Sequence, residues 1–181
     1  MVLSGPSGVG KGTLLRSLLP HHPELYISVS ATTRSPRSGE VEGQDYYFVS
    51  RSQFEAWVAA GQLLEWAEYA ENYYGTPRDP VLAQLQQGKT VILEIEVEGA
   101  RQVRQTFPDA LQVFVLPPSI DTLAQRLAQR CQDSPEAIAK RLHRAEAELA
   151  AAKEFDVQII NDSLAVAIET LERVLFQRSA L

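Results

Sequence analysis

The run Gly5-Pro6-Ser7-Gly8-Val9-Gly10-Lys11 constrains this chain more than any other stretch. It has the spacing G-x-x-x-x-G-K. A short apolar segment (Val2, Leu3) precedes it, and a helical pattern follows with Leu14, Leu15, Leu18 and Leu19 on one stripe, stopped by Pro20. Glycines at such positions let successive backbone N–H groups turn toward one anion. The helix start adds partial positive charge, and the lysine reaches the terminal phosphates. The expected phosphate cradle is therefore Gly5, Pro6, Ser7, Gly8, Val9, Gly10, Lys11, Gly12 and Thr13. Gly12 stands directly after the lysine, where a Ser or Thr usually holds Mg²⁺, so Thr13 is the candidate replacement, with waters completing the shell. The plainer alternative is a glycine-rich turn opening a helix, its lysine in solvent.

Strand-like and helix-like segments alternate along the rest of the chain. VILEIEV (Val91 to Val97), LQVFVL (Leu111 to Leu116) and VQII (Val157 to Ile160) read as strands, each followed by a helical pattern. The helix after Leu116 is entered through Pro117, Pro118 and Ser119 and carries Leu123 and Leu127; the last has Leu164, Ile168, Leu171 and Leu175. Near-continuous apolar strands separated by helices argue a parallel sheet covered on both faces. Residues 30 to 88 break this rhythm with a polar loop, the alternating DYYFV, a short helix with Phe54, Trp57 and Val58 ended by Gly61, then LLEWAEYA. That pattern suggests an inserted subdomain of mixed sheet and helix. Ala124 to Lys153, rich in Arg, Ala, Gln and Glu, reads as two polar helices, the second starting at Ser134-Pro135, that form a flap.

Composition removes several classes. At 181 residues, 45% hydrophobic and 22% charged, the chain can bury a core as one domain and is neither disordered nor collagen-like. It has no apolar run of the ~20 residues a membrane span needs, and its start lacks the basic flank and apolar core of a secretory signal. One cysteine, Cys131, fits a reducing cytoplasm. A net charge of -6 argues against a nucleic-acid polymer as partner. Small polyanions stay open where arginines are concentrated locally.

Such a concentration lies in Ser30-Ala31-Thr32-Thr33-Arg34-Ser35-Pro36-Arg37. An arginine fork matches phosphate oxygens, and the tyrosines of Asp45-Tyr46-Tyr47-Phe48 and of the turn Asn72-Tyr73-Tyr74-Gly75-Thr76 offer neutral donors. Together they read as a second phosphate site, or as a basic surface loop with half-buried tyrosines. Strand alternation over Val91 to Val97 puts Glu94, Glu96 and Glu98 on one face, which predicts a strand end open to water, metal or ligand.

GPSGVGKGT, SVSATTRSPRSGEVEGQDYYFV, LLEWAEY, NYYGT and ILEIEVEG, in this order, resemble the guanylate kinase family over essentially the whole chain. The resemblance implies an α/β fold: a P-loop NTPase core with a parallel sheet flanked by helices (1–29, 89–118 and 154–181), an inserted mixed GMP-binding subdomain (30–88) and a helical lid (119–153). It implies an ATP-dependent GMP kinase working with Mg²⁺. Ser30, Arg34, Arg37, Tyr46 and Tyr74 then match positions at the GMP phosphate, and Glu65, Thr76 and Glu96 match positions at the guanine base. Lys11, Arg34, Arg130 and Arg141 would act on the transferring phosphate, Arg126 being a further candidate nearby. Thr13 and Glu94 would lie near the metal. Two positions depart from the family pattern: Glu96 stands where aspartate is common, and Glu98 where glutamine is.

A guanine reader has its own chemical logic. Guanine presents N1–H and an amino group as adjacent donors that one carboxylate accepts together, whereas adenine presents an acceptor there; Glu65 is the residue expected to make this distinction. The acceptor phosphate is already an anion, so no general base is needed, and His21, His22 and His143 are expected to sit in water. Three other readings remain: a P-loop kinase for another phosphorylated acceptor such as a ribose bisphosphate, a non-catalytic interaction module of guanylate-kinase type, and a nucleotide-binding regulator. The sequence leaves monomer and homo-oligomer equally open.

Overall fold

The computed structural model describes residues 1–129 and 135–176. The chain divides into two compact units, Met1 with Glu24–Ala110 and Val2–Pro23 with Leu111–Leu181.

In the second of these, β1 (Val2–Ser4) leads through the glycine loop into α1 (Lys11–Leu18). Later come β8 (Gln112–Leu116), α5 (Ile120–Gln129), α6 (Pro135–Ala150), β9 (Val157–Ile160) and α7 (Leu164–Phe176). β8 pairs in parallel with β1 (Leu3 opposite Val113) and with β9 (Val113 opposite Val157). Val2, Leu3, Val113, Phe114 and Val115 are wholly buried, as strands covered on both faces must be. Leu14, Leu15 and Leu18 of α1, Leu123 and Leu127 of α5, and Leu171 of α7 are buried too, each worth about 1.5–3 kcal/mol relative to exposure. The Ser119 hydroxyl accepts from the Thr122 N–H at 3.1 Å and caps α5. β9 is less covered than its apolar sequence suggests: Ile160 is 59% exposed. The stripe on α7 is also narrower, since Leu164 is exposed and Ala167 and Leu171 face inward.

The other unit holds β2 (Leu25–Ile27), β3 (Ala31–Thr32), β4 (Tyr47–Phe48), α2 (Arg51–Ala59), β5 (Leu63–Tyr69), β6 (Asn72–Pro77), α3 (Arg78–Gln86), β7 (Thr90–Glu94) and α4 (Val97–Thr106). β2 and β7 run parallel. A separate mixed sheet has the order β4-β3-β6-β5, and Ala31, Phe54 and Leu63 form its buried core with Tyr47, Trp57 and Tyr73 packed around them. The architecture is α/β: parallel strands flanked by helices, with a second, mixed sheet.

Two expectations need correction. Asn72 to Thr76 is a strand of a hairpin, and the turn falls earlier, at Ala70 and Glu71 with φ of 48° and 65°. The strand expected over Val91 to Val97 stops at Glu94, and Glu96 is the N-cap of α4. Glu94, Glu96 and Glu98 therefore do not share one strand face. Acidic residues are favoured around a helix start, and this accounts for the charge there; Glu98 pairs with Arg101 at 3.3 Å on an exposed surface.

Candidate active site

The glycine loop leaves β1 and enters α1 through Gly10, whose φ of 102° is left-handed. A β-carbon there would stand 2.6 Å from the Asn161 amide nitrogen, so both conformation and space require glycine. Val9 N–H donates to the Pro6 carbonyl and Leu14 N–H to that of Gly10. No acidic residue occupies the first turn of α1, which leaves its N-terminal field unopposed. The Lys11 ammonium folds back over the loop, donating to the carbonyls of Gly5 (2.6 Å) and Pro6 (3.4 Å).

Beside the loop is a cleft of about 330 Å³, bordered by Gly8, Thr13, Arg126, Gln129, Asn161 and Asp162, within the range of small-molecule sites. Sequence reading missed Asn161 and Asp162 and ranked Arg126 low. The buried Asn161 side chain donates to the Val9 carbonyl at 2.8 Å, and Arg126 donates to the carbonyls of Asn161 (2.9 Å) and Val9 (3.3 Å). The available signal was position: Asn161 directly follows a parallel strand, at the carboxyl end where α/β folds bind ligands. Thr13 is exposed at this cleft. Arg141 is half-buried on α6, and Arg130 lies outside the described residues.

In the other unit the predicted arginine–tyrosine group converges. Arg34 binds Glu40 through both ends of its fork, at 3.0 and 2.8 Å, and its charge lies 5.4 Å from the Tyr46 ring centre. Tyr46 and Tyr74 meet edge to face at 6.1 Å. Burial and then Tyr74 push the Tyr46 phenol up, so it remains a neutral donor. The hydrogen bond from Arg34, followed by one from the Arg37 N–H, holds the Glu40 carboxyl below its ordinary value. The Arg37 side chain is exposed, and the half-buried Ser30 gives its carbonyl to Tyr47 N–H. Glu40 was not among the expected site residues.

Glu65 is the most perturbed side chain of the unit. It is 5% exposed, and burial pushes its carboxyl up to about 7 against the opposing effect of Thr76, which donates to one oxygen at 2.6 Å. The charge of Glu96 adds a smaller upward push, so Glu96 acts on Glu65 electrostatically while itself exposed. Glu94 is half-buried at the end of β7.

The histidines take no part in these groups. His143 is 92% exposed, as expected. His22 is not in water: its Nε2 lies 2.9 Å from a Glu172 carboxylate oxygen and its ring stacks on Phe176, 4.6 Å between centres.

A sequence model of the guanylate kinase family matches residues 1–178. The guanylate kinase of Nostoc sp. is 62% identical over 176 residues, spanning 97% of this chain and 88% of its own length; that of Thermosynechococcus vestitus is 63% identical, spanning 97% and 92%. Among solved structures, guanylate kinase from Anaplasma phagocytophilum superposes with a TM-score of 0.80 at 31% identity, over 98% of this chain and 84% of that one. Shikimate kinase from Bacteroides thetaiotaomicron has a TM-score of 0.52 at 14% identity, over 96% of each chain, which speaks to fold alone.

Proposed function

The chain belongs to the guanylate kinase family, and from that premise we propose that it transfers the γ-phosphate of ATP to GMP, giving ADP and GDP. The observation that carries the acceptor assignment is the buried Glu65, one oxygen held by Thr76, in the same unit as the Arg34–Tyr46–Tyr74 group. A carboxylate and a phosphate binder are the two halves of a purine monophosphate site. The test is ADP release with Mg-ATP against GMP, AMP, CMP and UMP separately. GMP should exceed each of the others by roughly 10³-fold or more in kcat/KM, and comparable rates with AMP would overturn the assignment.

In this reading Gly5, Pro6, Ser7, Gly8, Val9, Gly10, Lys11, Gly12 and Thr13 bind the ATP phosphates, with Arg126 and Asn161 bracing the loop. The core would comprise 1–29, 89–118 and 154–181, the acceptor subdomain 30–88 and the lid 119–153. Ser30, Arg34, Arg37, Tyr46 and Tyr74 take the GMP phosphate; Glu65, Thr76 and Glu96 face the base. Lys11, Arg34, Arg141 and Arg130 neutralise the charge in transfer, so catalysis is positioning plus electrostatics. The acceptor oxygen carries no proton to remove, consistent with histidines placed elsewhere among the described residues.

Mg²⁺ is the ion we assign to accompany ATP. Among the described residues no three His, Cys, Asp or Glu side chains are grouped as a metal site, and Mg²⁺ is commonly held by phosphates, waters and one or two protein oxygens. Thr13 and Glu94 are the oxygen donors that would hold it, directly or through water. When bound, the ion offsets negative charge on the triphosphate. No helix among the described residues is long and apolar enough to cross a membrane, and with a single cysteine we assign the reaction to the cytoplasm.

Arg37 gives the cleanest check on the acceptor site. Its side chain is exposed, and its backbone N–H donates to Glu40. Arg37→Ala should raise the KM for GMP about tenfold, the loss of one charge-assisted hydrogen bond, with KM for ATP and Tm nearly unchanged. Equal losses for both nucleotides in steady-state kinetics would remove Arg37 from the acceptor site.

A further inference from the structure

Glu65 is fixed from two sides. Thr76 donates to Oε1, while Oε2 lies against α4 at Gly99. A β-carbon at Gly99 would stand 2.3 Å from Oε2, 3.0 Å from Cδ and 3.3 Å from Cγ of Glu65, so the carboxylate occupies the space a side chain would fill. Gly99 lies in the first turn of α4 with an ordinary helical φ; backbone conformation does not demand glycine here, and alanine is the better helix former. The contact with Glu65 is what excludes it. One turn on, Gln102 grips the next residue of β5: Trp66 N–H donates to its Oε1 at 3.0 Å, and its Nε2 donates to the Trp66 carbonyl at 2.8 Å. Helix α4 thus holds both the end of the Glu65 side chain and the strand that carries it.

We propose that Gly99 and Gln102 of α4 are positioning residues for base selection: the missing side chain at 99 sets where the Glu65 carboxylate stands, and Gln102 fixes β5 beside it. This rests on Glu65 being the guanine reader. The atom that must yield to a methyl at 99 is the end of a flexible side chain rather than backbone, so the fold survives and the carboxylate moves.

The experiment is Gly99→Ala, alone and combined with Glu65→Asp, read by KM and kcat for GMP and AMP, KM for ATP, and Tm. Gly99→Ala should raise the KM for GMP about tenfold and cut the preference over AMP by a similar factor. Its kcat at saturating GMP and its KM for ATP should stay within about twofold, with Tm equal or higher. Aspartate is one methylene shorter and withdraws from the added methyl. Glu65→Asp should therefore impair the wild type yet restore part of the GMP affinity in the Gly99→Ala background, a non-additivity in KM for GMP without a matching one in KM for ATP, which packing alone would not produce. Gln102→Ala, which adds no bulk, should raise the KM for GMP about threefold without altering ATP. It is the second arm should Gly99→Ala fail to fold. Additive losses in the double variant, or an unchanged KM for GMP in both Gly99→Ala and Gln102→Ala, overturn the proposal. If Glu65→Gln itself leaves the GMP preference intact, the base reader lies elsewhere and the reading beneath falls with it.

Discussion

Lys11→Ala should reduce turnover by roughly 10³-fold or more with GMP, a loss of about 4 kcal/mol of transition-state stabilisation. The ammonium is the one lysine charge of the glycine loop, and its hydrogen bonds run to the carbonyls of Gly5 and Pro6. Those carbonyls accept from water once the side chain is gone, so the change in stability should stay within about 1 kcal/mol. A collapse of kcat beside a nearly unchanged Tm is the signature of a group that works on the transferring phosphate. Retention of kcat within tenfold would remove Lys11 from the transfer step.

Glu65→Gln should have the second largest effect, and it splits function from stability. Glutamine can accept only one of guanine's adjacent donors and sets its own amino group against the other, so the preference for GMP over AMP should fall by about 10²–10³. The free protein should gain stability. The Glu65 carboxyl titrates at about 7 in the fold against an ordinary 4.5, so the unfolded chain ionises first as pH rises. Stability is lost between those two values and stays lower above 7. Removing the group abolishes that loss, on the order of 3 kcal/mol at pH 8. Thermal unfolding of both proteins at pH 5 and pH 8 reads this directly: their Tm difference should widen at the higher pH. Binding runs the other way, because only the ionised carboxylate accepts both donors. The wild-type KM for GMP should fall from pH 6 to pH 8, and in Glu65→Gln that dependence should shrink to the part set by ionisation of the GMP phosphate, whose second pKa is about 6.

Much of this was legible from residues alone because it rests on local order. G-x-x-x-x-G-K between an apolar strand and a leucine-striped helix admits few other structures, and β1 and α1 take those places. What escaped was set by contacts between distant segments. Alternating Glu and aliphatic residues over Val91 to Val97 imitate a strand, yet β7 ends at Glu94 while Ile95 and Val97 remain buried beyond it. A period of two cannot separate a strand end from the turn and helix start that follow. β2 is only three residues long and α3 buries a single position, Val81, so neither has a face long enough to announce itself. The hold of Asn161 on Val9 joins residues 152 apart, and that of Glu172 on His22 joins residues 150 apart. Neither has a local trace. The arginine–tyrosine group was read from residue chemistry and the base positions were expected from the resemblance, but the depth of Glu65 became visible only once α4 lay across it.

If the loop takes the acceptor phosphate as proposed, the doubly hydrogen-bonded pair of Arg34 and Glu40 bears on what it would ignore. This arginine carries a built-in counter-ion, so an incoming anion must outbid a carboxylate already seated in good geometry. Chloride and other monovalent electrolytes bring one diffuse charge and no second anchor, and they lose that exchange. A phosphomonoester dianion tethered to a well-seated purine does not. Under the proposed assignment the loop would be kept clear of the background salt of its surroundings without being closed to its ligand.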